Sequence, residues 1–456
     1  MLSILVAAMG GCQPAVRIET RAVLDSVSPD RLRADVDTLA GFGTRHTLSE
    51  TVSDTRGIGA ARRWLKAEFE RATAGREAAG LPAARVSFDT HIVEPDGRRI
   101  TRTTEVANVM CVLPGVMPEA AGRLYYVIAH YDSRASDVSD TEIDAPGAND
   151  DASGVALCLE LARVLSEFPL DATVVLMPVA GEEQGLYGAR AHARAARAAD
   201  GGAGLDIRAV LSNDMVGDPS GPGGRMARRE VRVFSEGLPA AIFEDDTLGL
   251  GAVRRVRSLS TESDSDSRQL ARAIAQVADW YGTVVQPRLV FRPDRFLRGG
   301  DHSGFNEQGF AAVRFTEVHE SYDRQHQDVR TEEGIGYGDL PEHVDPGYLA
   351  DVTRLNAATL IVLANAPSVP GNARVIVARL SNETTLRWDP SPEPDTAGYE
   401  VVWRATTDSE WTHARDVGPV NEFVSPLSKD NWFFGVRSYD SEGYRSPVAF
   451  PRAAGE

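Results

Sequence analysis

The chain has 456 residues, of which 42% are hydrophobic and 25% are charged, so it is long enough to bury a large core and to form more than one domain. Its formal net charge of −18 argues against a nucleic-acid binder, because phosphate binding needs clustered lysine or arginine, and no such block occurs. Cys12, Cys111 and Cys158 are too few for a disulfide scaffold and lack zinc-site spacing, so any bound metal would need nitrogen and oxygen ligands.

The first segment, MLSILVAAMGGC, is an apolar run that ends in small residues before Cys12. This order is typical of a lipoprotein leader, although no positive charge precedes the run and Met9 stands where such leaders usually have leucine. We therefore expect a signal or lipoprotein leader over residues 1–22, in which Cys12 could carry a lipid anchor. The protein would then be exported, as a periplasmic, membrane-anchored or secreted protein. The alternative is a frayed or misassigned start.

Helical spacing follows over residues 28–42 and 55–73, with Ser28 as an N-cap and Pro29 at the first helical position. Strand-like runs come next, and apolar strands then alternate with helices. The strands are RLYYVIAH, DATVVLMPVAG, DIRAVLSND and AAVRFTEV, and the helices are ASGVALCLELARVLSEF, GLYGARAHARAARAAD and DSRQLARAIAQVADWY. This alternation predicts an α/β domain over residues 23–367, with a mainly parallel mixed sheet covered by helices.

After PSVPGN the pattern changes to short alternating strands, which predict a small C-terminal β-sandwich over residues 368–456. Trp388, Tyr399, Val401, Phe434 and Val436 lie on period-two faces. The segment resembles a fibronectin type III domain, with Trp388 as the buried core tryptophan. Such a domain could bind a partner or a glycan, or serve as a spacer.

Residues of the types that bind metals occur where the strands of the α/β domain end. They are His130, Glu182, Glu183, Asp214, His319 and His326, and Asp150 stands in the turn GANDDASG before the next helix. One such residue alone is more often a helix cap, a core histidine or a solvated charge. The joint occurrence at one edge of a sheet favours a metal site, because ligands bind beyond the carboxyl ends of parallel strands.

Charge balance indicates which metal fits. Carboxylates within about 5 Å of one another repel unless they share cations or protons. Two divalent ions would neutralise Asp150, Glu183, Asp214 and one hydroxide. A ligand set of nitrogen and oxygen atoms suits zinc in a hydrolytic site, with manganese or cobalt as substitutes.

Six motifs in this order resemble the di-zinc aminopeptidases related to the secreted bacterial leucyl aminopeptidase. They are AHYDS, PGANDDASG, GEEQGLYGA, SNDMVGD, GGDHSGF and YDRQHQD, within residues 35 to 366. The family also includes glutamate carboxypeptidases and glutaminyl cyclases. The resemblance implies a zinc exopeptidase fold, two Zn²⁺ ions and peptide substrates with a free N-terminus.

The resemblance also implies a role for each residue. The zinc ligands would be His130, Asp150, Glu183, Asp214 and His326. His130 and Asp214 would each bind one ion, Asp150 would bridge the two, and Glu182 would be the general base of peptide hydrolysis. His319 is the competing choice for the last ligand. The peptide bond between Asp150 and Asp151 would be cis, with Asp151 turned towards the helix start.

Three further expectations concern neighbouring residues. Asp132 should accept the second N–H of the His130 ring, since both lie on one side of an extended chain. By the same argument, Glu182 and Glu183 should point in opposite directions. Asp301 and His302 resemble the segment that lines the substrate pocket. The resemblance also implies a tyrosine that helps to bind the oxyanion; Tyr131 and Tyr322 are near in sequence, and no motif assigns the role to either.

Three other functions remain open. A glutaminyl cyclase on the same scaffold would carry one zinc and lack a complete second set of ligands. A non-catalytic scaffold or binding protein would be expected to lose ligands or the base. A carboxypeptidase or dipeptidase preference depends on pocket loops, which the motifs do not determine.

Overall fold

The computed structural model describes residues 17–244, 249–378 and 380–454. The chain divides into two compact units, with the division between Ala364 and Asn365. Most of the predicted leader lies outside the described residues, and residues 18–22 begin the first helix. Across the described ranges, no helix combines the length and the apolar character needed to cross a membrane.

The first unit contains the predicted alternation of strands and helices. Its helices are α1 Ile18–Asp25, α2 Pro29–Ala40, α3 Gly57–Thr73, α4 Ala152–Leu165, α5 Glu182–Gly185, α6 Tyr187–Ala198, α7 Ala241–Glu244, α8 Gly249–Leu259, α9 Asp266–Tyr281, α10 His302–Asn306 and α11 Pro346–Asn365. Its strands are β1 Arg85–Val93, β2 Thr104–Leu113, β3 Leu124–His130, β4 Thr173–Val179, β5 Ile207–Asn213, β6 Ser220–Gly221, β7 Arg225–Met226, β8 Glu230–Ser235, β9 Gln286–Val290, β10 Ala312–Thr316, β11 Arg330–Glu332 and β12 Ile335–Tyr337. Helix α2 begins as predicted, because Ser28 caps it by accepting the Arg31 N–H at 3.3 Å.

The large sheet has the strand order β1-β2-β4-β3-β5-β10-β8-β9. Strands β4, β3, β5 and β10 run parallel, whereas β1, β2 and β8 are antiparallel to their neighbours towards the centre. The prediction of a mainly parallel mixed sheet is therefore confirmed. As a result, the carboxyl ends of the four central strands meet at one edge.

Both faces of the sheet are covered, which explains why the central strands are apolar along their whole length. Tyr126 and Ile128 of β3 pack with α6 and with Phe305 of α10. Val127 points to the other face, where Cys158 of α4 approaches its carbonyl oxygen. The sheet is thereby a rigid support for residues at its edge.

The second unit is a β-sandwich. Its strands are β13 Gly371–Ile376, β14 Thr384–Asp389, β15 Thr396–Ala405, β16 His413–Gly418, β17 Glu422–Ser425, β18 Trp432–Asp440 and β19 Arg452–Ala454. They form one sheet of order β17-β14-β13-β19 and another of order β16-β15-β18. Trp388 of β14 is buried in one core with Tyr399 of β15 and Phe434 of β18, so the two sheets share a core. The resemblance to a fibronectin type III domain stays a prediction.

Candidate metal centre

The predicted ligand residues converge at the carboxyl edge of the sheet. Strand β3 ends at His130, Asp214 directly follows β5, and Glu183 lies in α5 just after β4. Two groups of candidate ligands form among the described residues, each with its ligand atoms within 4.8 Å of one another. They are His130 with Glu182 and Asp214, and Asp150 with Glu183 and His326.

Asp150 lies between the two groups. Its Oδ1 is 3.0 Å from His130 Nε2, and its Oδ2 is 3.1 Å from His326 Nε2. His326 Nε2 is also 3.0 Å from Glu183 Oε1, and His130 Nε2 is 3.8 Å from Asp214 Oδ1. His130 and Asp214 therefore belong to the same group, whereas the sequence had led us to expect them on different ions.

Asp151 has different partners from its neighbour. The Asp150–Asp151 peptide bond is cis, as the resemblance implied. The Asp151 carboxylate caps α4 by accepting the Gly154 N–H at 2.9 Å, and it also accepts the N–H of His130 at 3.1 Å. It thus joins the end of β3 to the start of α4 and leaves Asp150 to face the histidines.

Two buried residues that the sequence analysis missed hold the turn that carries Asp150. Asp339 accepts the N–H of Asp150 at 2.7 Å and that of Asn149 at 2.9 Å. Arg45 donates to the carbonyl oxygen of Gly147 at 2.9 Å. Burial raises the pKa of Asp339 to about 7. Arg45 follows no strand, Asp339 follows only the three-residue strand β12, and both bind main-chain atoms, so no sequence pattern marks them.

The two adjacent glutamates differ from the sequence expectation in their backbone. Glu182 and Glu183 begin helix α5 rather than an extended segment, yet their side chains still reach different groups. The Asp132 carboxylate accepts the N–H of Glu182 at 3.3 Å and that of Glu183 at 3.1 Å. His130 Nδ1 lies 3.1 Å from the carbonyl oxygen of Asp132 and 3.7 Å from its carboxylate. Asp132 therefore orients the ring mainly through its main chain, and its carboxylate holds the start of α5.

The electrostatics of the site favour a cation. Burial alone would lower the pKa of His326, but Glu183 and Asp150 outweigh it and raise that pKa to about 10. Burial would likewise lower the pKa of His130, which Asp150 and Asp214 instead raise well above its ordinary value. Without metal, protons on the histidines would have to offset the surplus of negative charge.

Unpaired ligand atoms support the same interpretation. His130 Nε2, Glu183 Oε1 and Asp214 Oδ1 are buried, and among the described residues their charged neighbours do not have the geometry of a hydrogen bond to them. Buried polar atoms of a folded protein nearly always have partners, and a metal ion is one explanation for an exception. The residues present therefore fit a zinc site of nitrogen and oxygen donors.

Asp214 has a second partner that the sequence analysis missed. Arg314 of β10 is fully buried, and its Nη2 is 2.8 Å from Asp214 Oδ2. A charged residue in the middle of an apolar strand was a signal that could have been followed. The contact leaves Asp214 Oδ1 to face His130.

An open cavity of about 740 Å³ lies over the two groups. Tyr322 lines it and is 63% exposed, whereas the buried Tyr131 hydroxyl donates to the Ala107 carbonyl oxygen at 2.6 Å. Asp301 and His302, which the sequence analysis placed at the substrate pocket, are buried and do not line this cavity.

Asp301 lies near the charges of His130 and Asp214, and burial raises its pKa to about 8. The ring of His302 is held at the carbonyl oxygen of Pro293, 2.8 Å from its Nε2. His319 belongs to neither ligand group, so His326 is the histidine that this loop places at the site.

Comparisons with known proteins point to one family. A segment spanning residues 108–226 matches the model of peptidase family M28. The chain is 42% identical over 433 residues to a probable zinc metalloprotease of Pyrenophora tritici-repentis, covering 95% of this chain and 86% of the relative. It is also 42% identical over 443 residues to one of Leptosphaeria maculans, covering 97% of this chain and 99% of the relative.

Solved structures show the same fold at lower identity. LapB from Legionella pneumophila has a TM-score of 0.51 and 16% identity, and covers 76% of this chain and 74% of its own. The Legionella pneumophila LapA aminopeptidase has a TM-score of 0.51 and 19% identity, and the match covers 77% of this chain and 76% of LapA. At this identity the likeness concerns the fold alone.

Proposed function

Because the chain belongs to peptidase family M28 and is a zinc metallopeptidase, we propose that it is an aminopeptidase that removes N-terminal residues through a pair of zinc ions. The observation that supports this most strongly is the Asp150 carboxylate, whose oxygens lie 3.0 and 3.1 Å from two different histidines. Each histidine has its own carboxylate neighbours, so one side chain can serve two ions.

In this proposal each candidate ligand binds a particular ion. His130 and Asp214 would hold one ion, Glu183 and His326 would hold the other, and Asp150 would bridge them. When bound, two such ions polarise the scissile carbonyl group and lower the pKa of water. The protein contributes fixed ligand positions, because Asp151, Asp339 and Asp132 hold the main chain on which the ligands stand.

Glu182 is the residue that we assign to proton transfer. Its carboxylate lies within 4.8 Å of the ligand atoms of His130 and Asp214, and the residue lines the cavity. Glu182 would take the proton from the attacking water and pass it to the leaving amine, so that its carboxylate is ionised again at the end of each turnover. We assign Tyr322 to the oxyanion, because its side chain lines the cavity whereas that of Tyr131 is engaged elsewhere.

The carboxylates that line the cavity also bear on where a peptide is cut. Glu182 and Asp150 can attract the α-amino group of a substrate, which the interior of a polypeptide lacks. A free N-terminus next to the scissile bond therefore suits this site, and exopeptidase action follows.

Turnover of aminoacyl anilides, with and without chelator, tests the proposal. Glu182→Gln should retain zinc by elemental analysis and lose about 10²–10⁴-fold in kcat, because the general base is removed. Glu105→Gln, at an exposed ion pair on β2, is the matched control and should behave like the parent protein. Full activity of Glu182→Gln, or of protein without metal, would contradict the assignment.

The same assay separates the alternatives. A glutaminyl cyclase with one zinc would need only one of the two ligand groups. If an N-terminal glutaminyl substrate is cyclised faster than alanyl or leucyl substrates are hydrolysed, the cyclase function is the better description.

A further inference from the structure

The cavity over the ligand groups is rich in arginine. Its lining includes Arg99, Arg134, Arg295, Arg298 and Arg314. The acidic residues of the same lining are Asp150, Glu182, Glu183 and Asp214, all of which the proposed function already uses. In a chain of net charge −18, this local concentration of guanidinium groups is the reverse of the overall composition.

The arginines near Asp214 outnumber their carboxylate partners. Glu320 pairs with Arg298 at 2.9 Å, with Arg295 at 3.1 Å and with Arg232 at 2.7 Å. Asp294 pairs with Arg295 and Arg314, each at 3.1 Å. With Asp214, which pairs with Arg314 at 2.8 Å, three carboxylates face four guanidinium groups, and the Arg298 side chain remains 32% exposed.

Two further arginines lie beside Glu183. Arg99 Nη1 donates to the Glu183 carbonyl oxygen at 2.7 Å, and Arg134 Nε is 4.0 Å from the Glu183 carboxylate. Over the described ranges, Arg99 forms no ion pair, and Arg134 forms none apart from its contact with Glu183. The loop that carries Arg99 is anchored, since Asp96 accepts the Arg99 N–H at 2.9 Å and the Tyr187 hydroxyl at 2.8 Å.

From this arrangement we infer that the cavity selects substrates that carry a carboxylate close to the scissile bond. The inference rests on the proposed function, which it narrows to a substrate class. Guanidinium groups bind carboxylates through paired charge-assisted hydrogen bonds, and groups fixed in place lose little entropy when they do so. The carboxylate could be the side chain of an N-terminal glutamate or aspartate, or the C-terminus of a short peptide.

Two sets of substrates distinguish these sources. Glutamyl and aspartyl anilides are compared with glutaminyl and asparaginyl anilides, which have the same shape without the charge. Short leucyl peptides with a free C-terminus are compared with the same peptides as C-terminal amides. We expect about 10–100-fold higher kcat/KM for the charged member of at least one set, as charge-assisted hydrogen bonds provide.

An arginine variant links any such preference to the cavity wall. Arg298→Gln should reduce the charged-to-neutral ratio at least fivefold, while Glu320 keeps Arg232 and Arg295 as partners. Arg98→Gln is the matched control, since Arg98 neighbours Arg99 on the same loop without lining the cavity, and its ratio should stay at the parental value.

The outcomes separate the inference from the proposed function. Equal rates within both sets, with chelator-sensitive hydrolysis of leucyl anilide, would overturn the inference and leave the aminopeptidase intact. A charged-to-neutral ratio that Arg298→Gln and Arg134→Gln both leave unchanged would also overturn it. If the zinc-loaded protein hydrolyses no member of either set, the proposed function fails and the inference fails with it.

Discussion

Asp150 and Asp151 are neighbours in the chain, but their carboxylates have different partners. Asp150 faces two histidines, whereas Asp151 accepts main-chain N–H groups at the ends of two elements. Either residue alone would leave the site incomplete, because one supplies ligand atoms and the other positions the turn that presents them. The two adjacent aspartates before helix α4 therefore meet two different needs: Asp150 supplies ligand atoms, and Asp151 fixes the turn.

Removing the support of Asp150 should weaken metal binding. Asp339→Ala deletes the acceptor for the N–H groups of Asn149 and Asp150, so the turn loses its fixed position. We expect zinc affinity to fall about 10–100-fold, as for other residues that orient a ligand. Competition with a chromophoric chelator measures this affinity. Asp339→Asn keeps one acceptor oxygen and should lose less, and parental affinity in Asp339→Ala would refute the role.

At the scale of single residues, the sequence was informative where a side chain follows a strand. His130, Asp214 and the glutamate pair could be found because parallel strands end at a common edge. Arg45 and Asp339 could not, since they bind main-chain atoms of a turn whose shape is known only after folding. The same holds for Asp132, whose main-chain carbonyl group is the nearer partner of the His130 ring.

Among the elements, the long apolar strands and most of the amphipathic helices were predicted, whereas helix α8 and several short elements were missed. Strands β8 and β9 have only six and five residues and are partly polar, so no long apolar run marks them in the sequence. Strands β6 and β7 have two residues each and pair within a stretch rich in glycine and proline. Helix α5 has only four residues, too few for a helical period to show.

The end of strand β8 should make the stability of the α/β unit depend on pH. Burial raises the pKa of Glu236, the residue after β8, to about 7, from 4.5. The folded protein therefore holds a proton that the unfolded chain releases, so stability falls as pH rises from about 4.5 to 7 and then levels off. Glu236→Gln keeps an acceptor for the Ala240 N–H and avoids this loss.

Chemical denaturation at several pH values measures the effect. The variant should match the parent near pH 4 and be more stable at pH 8, by up to about 3 kcal/mol. A constant difference between the two proteins across this range would show that Glu236 does not titrate as argued.

Each unit buries a hydrophobic core of its own. Trp388 is 2% exposed in the core of the sandwich, where it packs with Tyr399, Val401, Phe434 and Val436. Trp388→Ala should therefore destabilise the sandwich by about 3–5 kcal/mol through the cavity that it leaves. Hydrolysis of leucyl anilide should be unchanged below the melting temperature of the variant.

Calorimetry and turnover on the same preparation check this prediction. Val424→Ala, at a half-exposed position of β17, is the control and should shift neither quantity appreciably. Loss of turnover in Trp388→Ala at a temperature where the α/β unit is still folded would show that the units depend on each other.

The five candidate ligands come from separate segments of the chain, and the last of them, His326, follows strand β10. A nascent polypeptide on the ribosome therefore lacks a finished site until this late segment has emerged and docked. We expect the growing chain to be unable to hydrolyse peptides, and metal capture to follow the docking of this segment.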